Sequence, residues 1–136
     1  MKIFAVFDTN VLVSGLLSKQ SDSAVVLTLD ALLNKEVIPL YNQEILDEYR
    51  EVLHRDKFKF PKELVDSVVN QIERDGLLVN RVATDETFMD PDDVVFYEVA
   101  LSTEDALLVT GNTKHFPKTP VVVTPSEFLK ILGKRQ

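Results

Sequence analysis

The chain contains no cysteine. That absence removes a disulfide framework, a thiolate zinc site and a cysteine nucleophile together, and it fits a reducing compartment. Histidine is scarce: His54 and His115 are too few for a histidine-rich metal centre. No glycine-rich phosphate loop is present, and no Ser, His and Asp set for nucleophilic catalysis is apparent. The apolar run at the N-terminus, Ile3-Phe4-Ala5-Val6-Phe7, is five residues long. A membrane span needs about 20 residues, and a secretion signal needs a longer apolar region than this one. A cytoplasmic protein with no membrane attachment is expected. Positive charge is also short, with 15 Lys and Arg against 22 Asp and Glu, a net charge of −7. Nucleic-acid binding through simple counterion release is therefore disfavoured. A nucleic-acid role would need acids gathered around a cation that reverses the local charge, or a basic partner covering them.

What is present is an ordinary core-forming composition, 45% hydrophobic over 136 residues. A domain of this size buries about two-thirds of its unfolded surface. One domain over 1–136 is expected, with 133–136 as a frayed tail. Ile3 to Phe7 reads as a strand buried on both faces. It ends at Asp8-Thr9-Asn10, and Val11 to Leu17 suggests a short helix or turn. Ser21-Asp22-Ser23 offers a cap for a helix reaching about Asn34, followed by a strand at Val37-Ile38-Pro39-Leu40. Asn42 caps an amphipathic helix over 42–55, Pro61 opens another, and Gly76 stops it before a short strand at Leu77-Leu78-Val79. Asp90-Pro91-Asp92-Asp93 opens a helix with Val95, Phe96, Val99 and Ala100 on its apolar face. Strands follow at 106–110 and 120–123. Thr124-Pro125-Ser126-Glu127 then combines an N-cap, an N1 proline and an N3 glutamate, announcing a last helix to about Leu132. Strands alternating with helices predict a three-layer α/β/α sandwich with a mostly parallel sheet. Ligands of such folds gather at the carboxyl ends of the strands.

The carboxylates carry the chemistry. Asp8 directly follows a buried run, which anchors its backbone at a strand mouth; it could equally serve as the cap of the next helix. Asp90, Asp92 and Asp93 crowd three acids into four residues. Capping and the helix dipole explain Asp90 and much of Asp92, and a bound cation would relieve the remaining repulsion. Glu48 and Glu44 both lie on the 42–55 helix, and spacing alone does not choose between them. Asp8, one helix glutamate and Asp93 form an all-oxygen donor set suited to Mg²⁺ or Mn²⁺. Such an ion keeps waters, one of which can become a nucleophile while the ion stabilises charge on a phosphate. Two basic clusters stand out: Arg55, Lys57, Lys59 and Lys62 around Phe58 and Phe60, and Lys114, His115 and Lys118. Solvated charge is their default role. An RNA-backbone track would require both clusters to flank the strand mouths.

The run Asp8-Thr9-Asn10-Val11-Leu12-Val13-Ser14-Gly15 resembles the opening motif of PIN-domain nucleases. Asp90-Pro91-Asp92-Asp93-Val94-Val95-Phe96 and Val109-Thr110-Gly111-Asn112-Thr113-Lys114-His115-Phe116 resemble the later motifs in the same order. The resemblance covers essentially the whole chain. It extends to PIN proteins classed as toxins of bacterial and archaeal toxin–antitoxin pairs. It implies a Mg²⁺- or Mn²⁺-dependent endoribonuclease, an RNA substrate, a cognate antitoxin and a homodimer. It assigns the acids to Asp8, to Glu48 before Tyr49 in preference to Glu44, and to Asp93, with Asp92 secondary. Asn112 stands where many PIN domains have an acid, and an amide oxygen there can ligate metal or place a water without adding charge. Thr110 and Asn10 are implied as supports, and Lys114 and His115 as RNA contacts.

Three other readings compete. A phosphatase-like domain would form an aspartyl-phosphate on Asp8, but Asn10 sits where its second acid belongs. A receiver-like domain would want an acid pair after the first strand, which is not evident. A PIN scaffold that binds RNA or protein without cutting is favoured by Asn112 and the net charge.

Overall fold

The computed structural model describes residues 2–133. Of the tail expected to fray, 134–136 lie outside the described residues. Five strands form one sheet: β1 (Phe4–Phe7), β2 (Ile38–Tyr41), β3 (Leu77–Leu78), β4 (Leu107–Val109) and β5 (Val122–Val123). Their order is β3-β2-β1-β4-β5 and every pairing is parallel. Among the described residues six α-helices accompany them: α1 (Thr9–Leu17), α2 (Ala24–Leu33), α3 (Gln43–Leu53), α4 (Lys62–Asp75), α5 (Val94–Ala100) and α6 (Pro125–Ile131). The result is the expected α/β/α fold, with a sheet that is wholly parallel. Among the described residues, no helix is long and apolar enough to cross a membrane.

β1 is the central strand, and Ala5, Val6 and Phe7 are almost fully buried, which is why its sequence is apolar without alternation. Phe7 meets Phe128 of α6 edge-to-face at 5.7 Å. α1 and α6 both pack on α2, while α3 packs on α4 and α5. From β1 the chain moves outward to β2 and β3, then returns to place β4 on the other side of β1. That reversal opens a crevice beyond the carboxyl end of β1.

Local signals account for most element ends. Asn42 Oδ1 accepts from Ile45 N at 2.9 Å to start α3. Thr124 and Glu127 close the expected capping box of α6 with bonds of 3.1 and 2.8 Å. Gly76 is required by close approach: a Cβ there would lie 2.5 Å from both Ile72 O and Pro39 O, where α4 turns alongside β2.

Several boundaries differ from expectation; β4 and β5 are shorter than the 106–110 and 120–123 expected, and three further cases have a clear local cause. α1 begins at Thr9, earlier than Val11, because Asp8 caps it. The helix expected directly after Asp90 is preceded by a 3-10 turn, Pro91–Asp93, so α5 starts only at Val94. β3 is two residues long. It is an edge strand with both side chains exposed, although Val79 N still reaches Tyr41 O at 2.9 Å.

Candidate active site

A cleft of about 440 Å³ opens where β1, α3 and the Pro91–Asp93 turn converge. Asp8, Thr9 and Asn10 enter it from the end of β1. Asp47, Glu48, Glu51 and Val52 enter from α3, with Arg55 just past its end. Asp90, Asp92 and Asp93 complete the wall. Three segments far apart in sequence thus deliver Asp8, Glu48 and Asp93 to one cavity.

Backbone anchoring explains the placement. Tyr49 is fully buried and its hydroxyl donates to the Phe7 carbonyl at 2.5 Å. Phe7 immediately precedes Asp8 and Tyr49 immediately follows Glu48, so one bond clamps α3 to the strand end that carries the first acid. The Thr9 hydroxyl donates directly to Glu48 Oε2, a second link across the same gap. Tyr49→Phe should cost about 1–2 kcal/mol of stability, the usual loss for a buried hydrogen bond, measured by urea unfolding. An unchanged midpoint would mean the clamp contributes nothing.

Asp8 is 5% exposed. Its Oδ2 accepts from Thr110 Oγ1 at 2.8 Å, and its Oδ1 from Asn10 N at 3.4 Å. Asp8 is therefore a helix cap and a cleft carboxylate at once. Burial raises its pKa, only partly opposed by those hydrogen bonds and by His115. Burial also raises Glu48, with further lifting from Asp8, Asp92 and Asp93. Asp93 is pushed up to about 6, first by burial and then by the charges of Asp8 and Asp90, with His115 pulling the other way. Asp93 Oδ2 is buried and lacks a hydrogen-bond partner; His115 Nδ1 stands 3.5 Å away. Three carboxyls destabilised as anions, one with an unsatisfied buried oxygen, form a donor set suited to a hard divalent cation. Among the described residues, no three acidic or imidazole groups already converge on a single point. Each carboxylate instead leans on its own neighbour: Thr110, Thr9 or His115.

The remaining predicted residues fall variously. Asn10 lines the cleft and supports Asp8 through its backbone N–H. Asp92 lines the cleft, and its N–H is capped by Asp90 Oδ1 at 2.9 Å. Asn112 is exposed and does not line the cleft; its N–H donates to Thr110 Oγ1 at 3.0 Å, which in turn holds Asp8. Lys114 belongs to a separate hollow of about 410 Å³ beside β5, with Phe116 and Lys118. Only His115 of that basic cluster reaches the acids, so the two basic clusters do not flank one strand mouth in the way a continuous track would require. Glu44 faces away from the cleft and pairs with Arg81 at 2.8 Å. Arg81 also grips Glu98 at 2.7 Å, and Glu98 Oε2 accepts from Thr84 N at 2.9 Å, fastening the irregular segment before Asp90 to α5.

Sequence reading did not single out Thr9, Glu51 or Glu98. Thr9 had a usable signal, since it sits inside the quoted motif. The other two have none, because an exposed-looking helix glutamate gives no hint of the partner it finds in the fold.

The cleft is an acidic crevice at the carboxyl edge of a parallel α/β sheet, the place where such folds gather their ligands. A model of the PIN domain matches residues 5–114, and the chain belongs to the PIN-domain family. PIN domains have a nuclease-type fold and are generally metal-dependent nucleases. No curated protein and no solved structure matches the chain significantly.

Proposed function

We propose that the chain is a single PIN domain acting as a metal-dependent endoribonuclease, with Asp8, Glu48 and Asp93 as the groups that hold Mg²⁺ or Mn²⁺. The observation that carries this reading is the lining of one cleft by these three acids, each with a raised pKa and each contributed by a different element. The family provides the chemistry class. When bound, the ion would supply positive charge to activate the attacking water and steady the phosphate.

The chain's own residues have distinct tasks in this mechanism. Thr110 holds Asp8 in a fixed orientation, and the Asn112 N–H orients the Thr110 hydroxyl. Thr9 positions Glu48 until a cation competes for it. Asp92 adds negative potential at the rim. Asn112 acts through its backbone in the present arrangement, so its amide side chain is free to meet substrate or water. His115 tempers the charge of Asp93.

The finer role as a toxin, held in check by a cognate antitoxin and acting as a homodimer, rests on the ordered likeness of the motifs to PIN toxins. A gene for a small DNA-binding protein adjoining this one would support it.

Cleavage of a labelled mixed-sequence RNA pool, with Mn²⁺ against EDTA, tests the activity. Glu48→Gln should lower the rate at least about a hundredfold, because it removes a charged group proposed to hold the ion that stabilises the transition state, and Glu44→Gln should leave it within a few-fold. Equal losses would overturn the choice of Glu48. RNA bound but never cut, even with Mn²⁺ in excess, would favour a binding scaffold instead.

A further inference from the structure

We propose that Arg55 is the residue that takes hold of the RNA backbone, with Glu51 occupying its guanidinium until a phosphate displaces it. This rests on the cleft being the site where RNA binds, and it adds a substrate-holding group to that site.

A polyanion approaching the cleft meets acids on all three walls, and Arg55 is the one cation among the described lining residues. Its guanidinium is engaged at two points by Glu51, Nε to Oε2 at 2.8 Å and Nη2 to Oε1 at 2.8 Å. That two-pronged geometry is the one a phosphate also satisfies. Both partners are largely exposed, at 47% and 62%, so the pair is a weak one that a phosphate can replace at little cost. The Glu48 carboxylate also acts on the Arg55 charge, which places the guanidinium in the field of the proposed metal-holding group.

The connector between Arg55 and α4 extends the same property. It carries Lys57 and Lys59 and leads into Lys62, all exposed. Phe58 and Phe60 stack on each other with ring centres 5.5 Å apart, and the Lys57 ammonium lies 5.1 Å from the Phe58 ring centre. The two rings are partly buried against the core and stiffen the connector. Lys59 occupies the left-handed region, φ 57°, which turns the chain sharply between them. A segment carrying Arg55, Lys57, Lys59 and Lys62 against Asp56 and Glu63 thus begins at the cleft rim. In a chain with a net charge of −7, this is where incoming phosphates find positive charge next to the acids.

The test is the binding of a fluorescein-labelled single-stranded RNA 12-mer, read by anisotropy over a range of salt with Ca²⁺ present, alongside cleavage in Mn²⁺. Arg55→Ala should weaken binding about tenfold, the equivalent of one charged hydrogen-bonded contact. It should also flatten the slope of log affinity against log salt by about 0.7, the change expected for one lost phosphate contact on a single strand. Cleavage should show the loss mainly in KM. Arg55→Lys should keep the salt slope while losing part of the affinity. Glu51→Gln should tighten binding several-fold by freeing the guanidinium. Lys130→Ala, on α6, is the surface control.

Parental affinity and salt slope in Arg55→Ala would overturn the proposal, as would weaker binding in Glu51→Gln. The nuclease reading is scored separately, by whether Asp8→Asn abolishes cleavage. A parent that binds the 12-mer without cutting it still decides the role of Arg55. A parent that does not bind it overturns that role.

Discussion

Asp8→Asn should yield a protein that folds at least as well as the parent yet cuts RNA at least about a hundredfold more slowly. The amide oxygen can still accept from Asn10 N and cap α1, while its NH2 faces the Thr110 hydroxyl, which can turn to accept instead of donate. What disappears is a buried negative charge whose pKa is already raised by desolvation. In metal-free buffer near neutral pH that charge is a burden, and its loss should raise Tm by a few degrees, roughly what 1 kcal/mol gives in a domain of this size. Activity and stability thus move in opposite directions, which separates a functional acid from a purely structural cap. A cap alone would lose stability and leave the rate unchanged. Calorimetry in EDTA and a rate measurement in Mn²⁺ on the same preparation give both readings.

Metal should stabilise the protein strongly above about pH 7 and hardly at all near pH 5. Asp93 keeps its proton up to about pH 6 in the folded protein, above the ordinary carboxyl range. The folded state therefore binds protons more tightly than the unfolded chain. This contribution to stability is complete below the unfolded carboxyl pKa and is lost as the pH climbs through about 6. Asp8 and Glu48 shift in the same direction and add to the trend. A divalent cation competes with those protons and restores, at high pH, what deprotonation took away. With Mn²⁺ at about a hundred times its dissociation constant, Tm should rise roughly 5–15 °C at neutral to alkaline pH. The increment should shrink steeply below pH 6, and Asp93→Asn should remove most of it. A metal increment independent of pH would mean that the ion binds elsewhere.

Much of this site could be read from sequence because local physics dictates it. Five apolar residues ending in an acid place Asp8 at a strand mouth, and the acid-proline-acid-acid run places Asp93 at the start of α5. Glu48 was different. Nothing local separates it from Glu44, and the preference came from family likeness; the fold then sends Glu44 to Arg81 and turns Glu48 toward Thr9. The clamp between Tyr49 and Phe7 was invisible because it joins residues 42 apart through a backbone carbonyl. Asn112 shows where local pattern stops short of side-chain placement. Its position in the motif implied a side chain in the site, but the Thr113–His115 turn that it begins leaves that side chain exposed and sends its N–H to Thr110. β3 came out short because an edge strand pairs on one side alone, and Leu77-Leu78-Val79 has little to bury against.

The sharpest check on the metal centre is a crystal grown with Mn²⁺ and measured for anomalous scattering. An ion should appear in the cleft, touched by oxygens of Asp8, Glu48 and Asp93, with Glu48 drawn away from Thr9. An empty cleft at saturating Mn²⁺, or an ion bound by other residues, would contradict the assignment.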